Sequence, residues 1–142
     1  MATFTATAAQ STCPAKFVEQ GMIARSCLWT FSAAAASAGD VVQMIRIPNG
    51  AHIHDVAVIQ TFNAASSTFA VNVGDGNSAT RYILSATANA TIVRATVGQG
   101  YSYSAEDTID ITVATAASAS TGATVRVTVF YSMDQVTDGV GS

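Results

Sequence analysis

The strongest constraint on this chain is a two-residue rhythm. Val125, Val127, Val129 and Tyr131 take alternate places in one apolar run, Ile109, Ile111 and Val113 in another, and Phe69, Val71 and Val73 in a third. A β-strand turns successive side chains to opposite faces, so each run buries one face and leaves the other to solvent. No segment keeps the three-and-four spacing that an amphipathic helix needs. The fold class expected is therefore all-β. Segments 20–32, 40–47, 51–61, 68–73, 80–86, 91–97, 108–113 and 123–132 read as strands, with a further short one at Tyr101 to Tyr103. About eight strands at regular spacing predict a single antiparallel β-sandwich, jelly-roll-like, although an immunoglobulin-like order fits the same pattern. The chain divides into an extended N-terminal arm (1–19), the sandwich domain (20–133) and a polar tail (134–142).

Within that frame the stretch from Asp40 to Asp75 sets the local geometry. Val42 and Met44 stand opposite Val41, Ile45 and Ile47, which predicts a strand buried on both sides or lying in a subunit contact. The next strand alternates His52, His54, Val56, Val58 and Gln60 against Ile53, Asp55, Ala57, Ile59 and Thr61. Pro48 and Gly50 bracket a tight turn in which Pro takes the first central place and Asn49 or Gly50 supplies a positive φ. Gly74, Asp75 and Gly76 form the densest turn signal in the chain. In the first strand Ile23, Arg25, Cys27, Trp29 and Phe31 share the face expected to meet the core. In segment 80–86, Tyr82 and Leu84 are expected opposite Ile83.

Composition narrows the partners. Only 11% of the 142 residues are charged, less than half the usual share of about 25%. Ser, Thr, Ala and Asn must cover the surface instead, and burying hydroxyls and methyls costs less than burying charges. That points to oligomerisation or docking on a larger assembly. The net charge is −3, Lys16 is the single lysine, and five arginines are spread through the chain. Such a pattern makes no phosphate-tracking stripe, so nucleic acid is not an expected partner. No run reaches the length of a membrane-spanning helix, so no membrane is expected either. The first residues lack a basic leader and an apolar stretch, which argues against a secretory signal and for synthesis in the cytoplasm. Cys13 and Cys27 are then expected as free thiols.

Few residues offer chemistry. His52 and His54 share a face at the spacing a zinc pair would use, but no third ligand lies nearby, and surface or interface histidines are the preferred reading. Asp75-x-Asn77 lacks the spaced acids and closing Glu of a calcium loop, and reads as a turn bonding its own backbone. Glu106 and Asp107 mark a strand entry, with Asp107 and Asp110 on opposite faces. No nucleophile motif and no phosphate-binding loop appear. Tyr101, Tyr103 and Trp29 would suit a sugar groove, though core filling is the commoner use of such residues. No catalytic residue, metal or cofactor is expected, and the chain does not read as an enzyme.

The strings GDVVQMIRIPNGAHIHDVAV, VNVGDGNSATRYI, YSYSAEDTIDITVATA and VRVTVFYSMD resemble a family of small structural proteins of tailed bacteriophages. These are encoded beside the major capsid protein and described as capsid decoration or cement proteins. The resemblance covers roughly residues 21–133. It implies a sandwich or jelly-roll domain that trimerises and sits on threefold positions of the head exterior, bridging major capsid subunits. No catalytic residue is carried over. On this reading Phe4, Pro14, Lys16 and Phe17 of the arm are expected to touch the capsid or a neighbouring protomer. His52, His54, Val56 and Val58 are expected at the subunit interface. Two other classes fit the residues: a host-recognition or carbohydrate-binding module on a virion fibre, using Tyr101 and Tyr103, and a cupin-like enzyme with metal at His52 and His54.

Overall fold

Each alternating run folds as a strand with its apolar side turned inward, and nine strands result among the described residues. The computed structural model describes residues 1–6, 21–31, 37–62, 69–116 and 123–133. In chain order the strands are β1 (Thr3–Thr5), β2 (Ile23–Thr30), β3 (Val41–Ile47), β4 (Ala51–Thr61), β5 (Ala70–Asp75), β6 (Ser78–Ala86), β7 (Ile92–Arg94), β8 (Asp107–Thr115) and β9 (Thr124–Met133). They form a five-stranded sheet in the order β1-β3-β8-β5-β6 and a four-stranded sheet in the order β2-β9-β4-β7. Within these, β2 pairs with β9, β3 with β8, β4 with β7 and β5 with β6, all antiparallel. That nesting is one long hairpin rolled over on itself, its tip between β5 and β6. It settles the order as a jelly roll.

The core fills the space between the sheets. Val125, Val127, Val129 and Tyr131 of β9 are buried, as are Ile109, Ile111 and Val113 of β8 and Val71 and Val73 of β5. Phe69 packs edge-on against Phe31 and Phe62 at ring distances of 5.7 and 5.8 Å. Each such side chain contributes roughly 1.5–3 kcal/mol by leaving water.

Two β-bulges change what the alternation predicts. In β3, Gln43 pairs with Asp110 and Ile45 with Ile109, leaving Met44 as an extra residue. Val42, Met44, Ile45 and Ile47 are consequently all buried in one core. The strand that reads as apolar on two faces needs no subunit to cover it. In β4, Ile53 pairs with Tyr131 and Asp55 with Phe130, so His54 is the extra residue. Ala51 and Ile53 face inward before the bulge, and Val56, Val58 and Gln60 after it. The expected common face of His52, His54, Val56 and Val58 is therefore split: the valines lie in the core and the histidines outside. A similar shift in β6 turns both Tyr82 and Ile83 inward and leaves Leu84 73% exposed, against the predicted alternation.

The turns also differ in detail. The Ala51 amide donates to the Pro48 carbonyl (3.2 Å), and Gly50 has φ +89°. Asn49 and Gly50 are thus the central residues, and Pro48 is the first residue rather than the first central one. Gly74 is not a turn residue. It lies inside β5, paired with Asp110, and a Cβ there would sit 2.0 Å from the Ser78 carbonyl oxygen. The Ser78–Ala79 backbone crosses over it, which only glycine permits. The turn itself is Gly76-Asn77, fastened by Asp75 Oδ1, which accepts from the amides of Asn77 (3.0 Å) and Ser78 (2.9 Å).

The beginning of the arm is an edge strand of its own domain. β1 runs parallel to β3, and Phe4 lies 6.0 Å from the Trp29 ring. Asp40 holds this strand: its carboxylate accepts from the amides of Ala2 (3.0 Å) and Ser37 (2.9 Å). Those two bonds, the Ala2 one foremost, keep the Asp40 carboxyl below its usual range. Cys13, Pro14, Lys16 and Phe17 lie outside the described residues. Cys27 is a buried free thiol.

Candidate functional site

Three rows of outward side chains cross the four-stranded sheet. One runs Leu28, Arg126, Ile59, Ile92; the next Ser26, Thr128, Ala57, Arg94; the third Ala24, Phe130, Asp55. Leu28 is 48% and Ile92 61% exposed. The three charges are quiet: Arg126 donates to Ser26 Oγ at 3.3 Å, and Arg94 pairs with Asp55 at 2.6 Å. A shallow recess of about 120 Å³ lies among Ala57, Ile59, Ile92, Arg126 and Thr128. The face is cheap to desolvate and too shallow to enclose a small molecule.

At one end of this sheet stand His52 and His54. His52 Nδ1 is 2.7 Å from Ser102 Oγ, His54 Nε2 is 2.8 Å from Ser132 Oγ, and the rings meet edge to face at 5.2 Å. No group of three or more His, Cys, Asp and Glu residues able to hold a metal occurs among the described residues. Two imidazoles supply half of a tetrahedral set, and the described residues of one chain do not complete it.

The densest polar cluster closes the sandwich at the hairpin tip. Asp75, whose side chain is fully buried, ion-pairs through Oδ2 with Arg81 Nε. The same oxygen accepts from Tyr103 Oη at 2.9 Å, and Tyr103 Oη lies 2.8 Å from Tyr82 Oη. The Arg81 guanidinium stacks on the Tyr101 ring at 3.8 Å, and Tyr101 meets Tyr103 edge-on at 4.9 Å. Burial raises the Tyr103 and Tyr82 pKa values; for Tyr103 the bonds to Tyr82 and Asp75 add to the effect. Both phenols stay protonated at any physiological pH, so the cluster fastens and does not transfer protons. Tyr101 to Tyr103 form no strand of their own beyond one bridge. They run beside β4, with Tyr103 N donating to Ala51 O and Ile53 N to Tyr101 O, each at 2.9 Å. Tyr103 is only 4% exposed, which removes it from any sugar-stacking surface.

Sequence reasoning found Asp75 as a turn residue and missed Arg81 and Tyr103 as its partners. The available signal was an acid at a hairpin tip followed by an arginine six residues on. It also missed Asp110. This carboxyl points to the outer side of β8 yet is 5% exposed, flanked by Gln43 and by Gly74 under the β6 crossing. Its Oδ1 has no partner among the described residues. Burial pushes its pKa up to about 7, with the charges of Asp107 and Asp75 adding and a bond to Thr108 opposing.

No protein-family model and no curated protein sequence matches the chain. Solved structures do. A chain in the capsid of Ralstonia phage GP4 superposes with a TM-score of 0.77 at 17% identity, over 94% of this chain and 99% of that one. The fold is one that phage capsids use. A chain of the cyanophage Pam1 capsid asymmetric unit is 27% identical, with a TM-score of 0.60, over 87% of this chain and 94% of that one. A chain from the acid-stable capsid of Helicobacter pylori bacteriophage KHP30 has a TM-score of 0.61 at 17% identity, over 80% and 89%. The likeness spans nearly the full length of each chain, so it concerns the whole jelly roll and not a shared hairpin.

Proposed function

We propose that this protein is a structural component of a phage virion: a decoration or cement protein that trimerises on the head exterior and bridges major capsid subunits. The observation that carries the reading is the end-to-end likeness to a capsid chain of Ralstonia phage GP4, 94% of one chain on 99% of the other. Two features of the chain support it. The outward face of the four-stranded sheet carries Leu28, Ile59, Ile92 and Ala57 with only three charges, a composition suited to contact with protein. The only histidines, His52 and His54, sit on the outer side of β4 at its end and remain the proposed subunit contacts. A protein that binds only assembled shells stabilises them by mass action. The arm beyond β1, with Pro14, Lys16 and Phe17, is proposed to reach the capsid or the neighbouring protomer.

The test is addition of the purified protein to heads that lack it. We expect saturable binding at a fixed number of copies per head, a trimeric mass in solution, and a higher temperature of head disruption. Protein that stays monomeric and leaves the heads undecorated would refute the reading.

A further inference from the structure

We infer that Asn49, in the turn between β3 and β4, is a site of spontaneous covalent modification: the Gly50 backbone nitrogen attacks its carboxamide and converts it to aspartate and isoaspartate. The inference stands apart from the decoration reading and does not depend on it. Asn49 is the only asparagine in the chain that is followed by glycine. It is exposed, and its side chain has no hydrogen-bond partner among the described residues. The fold itself demands the reactive neighbour. The Ala51 amide closes the turn on the Pro48 carbonyl, Asn49 does not have a positive φ, and Gly50 has φ +89°, which makes a type II turn. Only glycine takes that φ without strain, and glycine is also the residue whose nitrogen no side chain shields.

The reaction needs water and no other reagent. The Gly50 nitrogen gives up its proton and forms a bond to Asn49 Cγ; the Cγ–Nδ2 bond breaks, and ammonia leaves with that proton. Water then opens the five-membered imide. Cleavage of the bond to Cγ leaves aspartate in an unaltered main chain. Cleavage of the bond to the Asn49 carbonyl carbon leaves isoaspartate, with the main chain one methylene longer. Either product adds one negative charge, taking the net charge from −3 to −4. The extra methylene falls inside a tight turn that joins the two sheets, so the Ala51–Pro48 bond must be displaced. The other described asparagines are restrained. Asn72 Oδ1 accepts from the Ser85 amide at 2.8 Å, and the Asn89 carboxamide is bonded through both ends to the Phe62 backbone. The amide that follows Asn77 is held by Asp75 Oδ1 at 2.9 Å. The Gly50 amide has a brake of its own, donating to the Tyr103 carbonyl at 2.7 Å. That bond belongs to the short pairing beside β4 and not to a central strand. Peripheral pairs of this kind open locally far more often than a domain unfolds, so the fold slows the attack without stopping it.

The experiment incubates the full-length folded protein at mildly alkaline pH, with the urea-unfolded chain and Asn49→Gln as comparisons. Cleavage before aspartates releases residues 40–54, in which Asn49 is the only asparagine, and mass spectrometry reads the product. We expect this peptide to gain about 1 Da with time. The aspartyl form is cut again at residue 49 and the isoaspartyl form resists, which tells the two apart. The unfolded chain should react about two- to tenfold faster, the worth of one backbone hydrogen bond. Asn49→Gln should leave the peptide unchanged, because its longer side chain would have to close a six-membered ring. A folded protein whose Asn49 stays intact overturns the inference, whether or not the unfolded chain reacts. Mass gained at Asn72, Asn77 or Asn89 ahead of Asn49 overturns it as well, and equal rates in folded and unfolded chains overturn the Tyr103 brake.

Discussion

Replacing Asp110 by Asn should make the protein more stable at neutral pH and erase a pH dependence. The carboxyl is 5% exposed, has one oxygen without a partner among the described residues, and titrates at about 7 instead of 3.8. Its folded pKa lies above the unfolded one. Between pH 4 and 7 the unfolded chain therefore gives up this proton while the folded chain keeps it. Folded protein binds more protons in that window, so stability falls as pH rises, and levels off above about 7. About three pKa units at roughly 1.4 kcal/mol each give a loss on the order of 4 kcal/mol. Asn keeps an oxygen for Thr108 and cannot ionise. Urea unfolding followed by the fluorescence of Trp29, the only tryptophan, reads this directly across the window. At pH 8 the variant should unfold at higher urea than wild type, and at pH 4 the two should nearly coincide. Parallel curves for both proteins from pH 4 to 8 would refute the argument, because they would mean that Asp110 ionises in the folded protein as it does in the unfolded one.

Two further outcomes follow from the hairpin tip. Gly74→Ala places a methyl 2.0 Å from the Ser78 carbonyl oxygen, so the β6 crossing must move. We expect a loss on the order of 3 kcal/mol in urea unfolding, and an unchanged midpoint would contradict the crossing. Asp75→Ala strips the anion from Arg81 and the acceptor from two amides and Tyr103. It should cost about 3–5 kcal/mol, while Asp75→Asn, which keeps one acceptor, should lower the midpoint less.

Period-two alternation was enough to read β5, β8 and β9, because their inward residues follow an unbroken pattern. It failed where a strand carries an extra residue. Met44 and His54 each shift the phase of their strand, and nothing in the residue types announces a bulge. That is why β3 looks buried on two faces and why Val56 and Val58 looked like companions of the histidines. Gly74 misled for a related reason: glycine marks a turn or a close backbone approach, and here it marks the second. The Asp75 cluster was out of reach because Tyr103 lies 28 residues from its acid and reaches it only through the fold. Strand order was invisible too, which left jelly roll and immunoglobulin-like order equally open until the nested pairs were seen.

Those nested pairs bear on how the chain is made. Ser26 and Thr128 touch across β2 and β9 although 102 residues separate them. At ribosomal speeds of about 5–20 residues per second, β2 waits roughly 5–20 s for its mate. The β5–β6 ribbon is the earliest antiparallel pair available, and registration then spreads outward from it as each later segment emerges. The four-stranded sheet lacks its central β9 until Met133 has emerged, so a chain truncated before β9 leaves β2 and β4 without the strand they share.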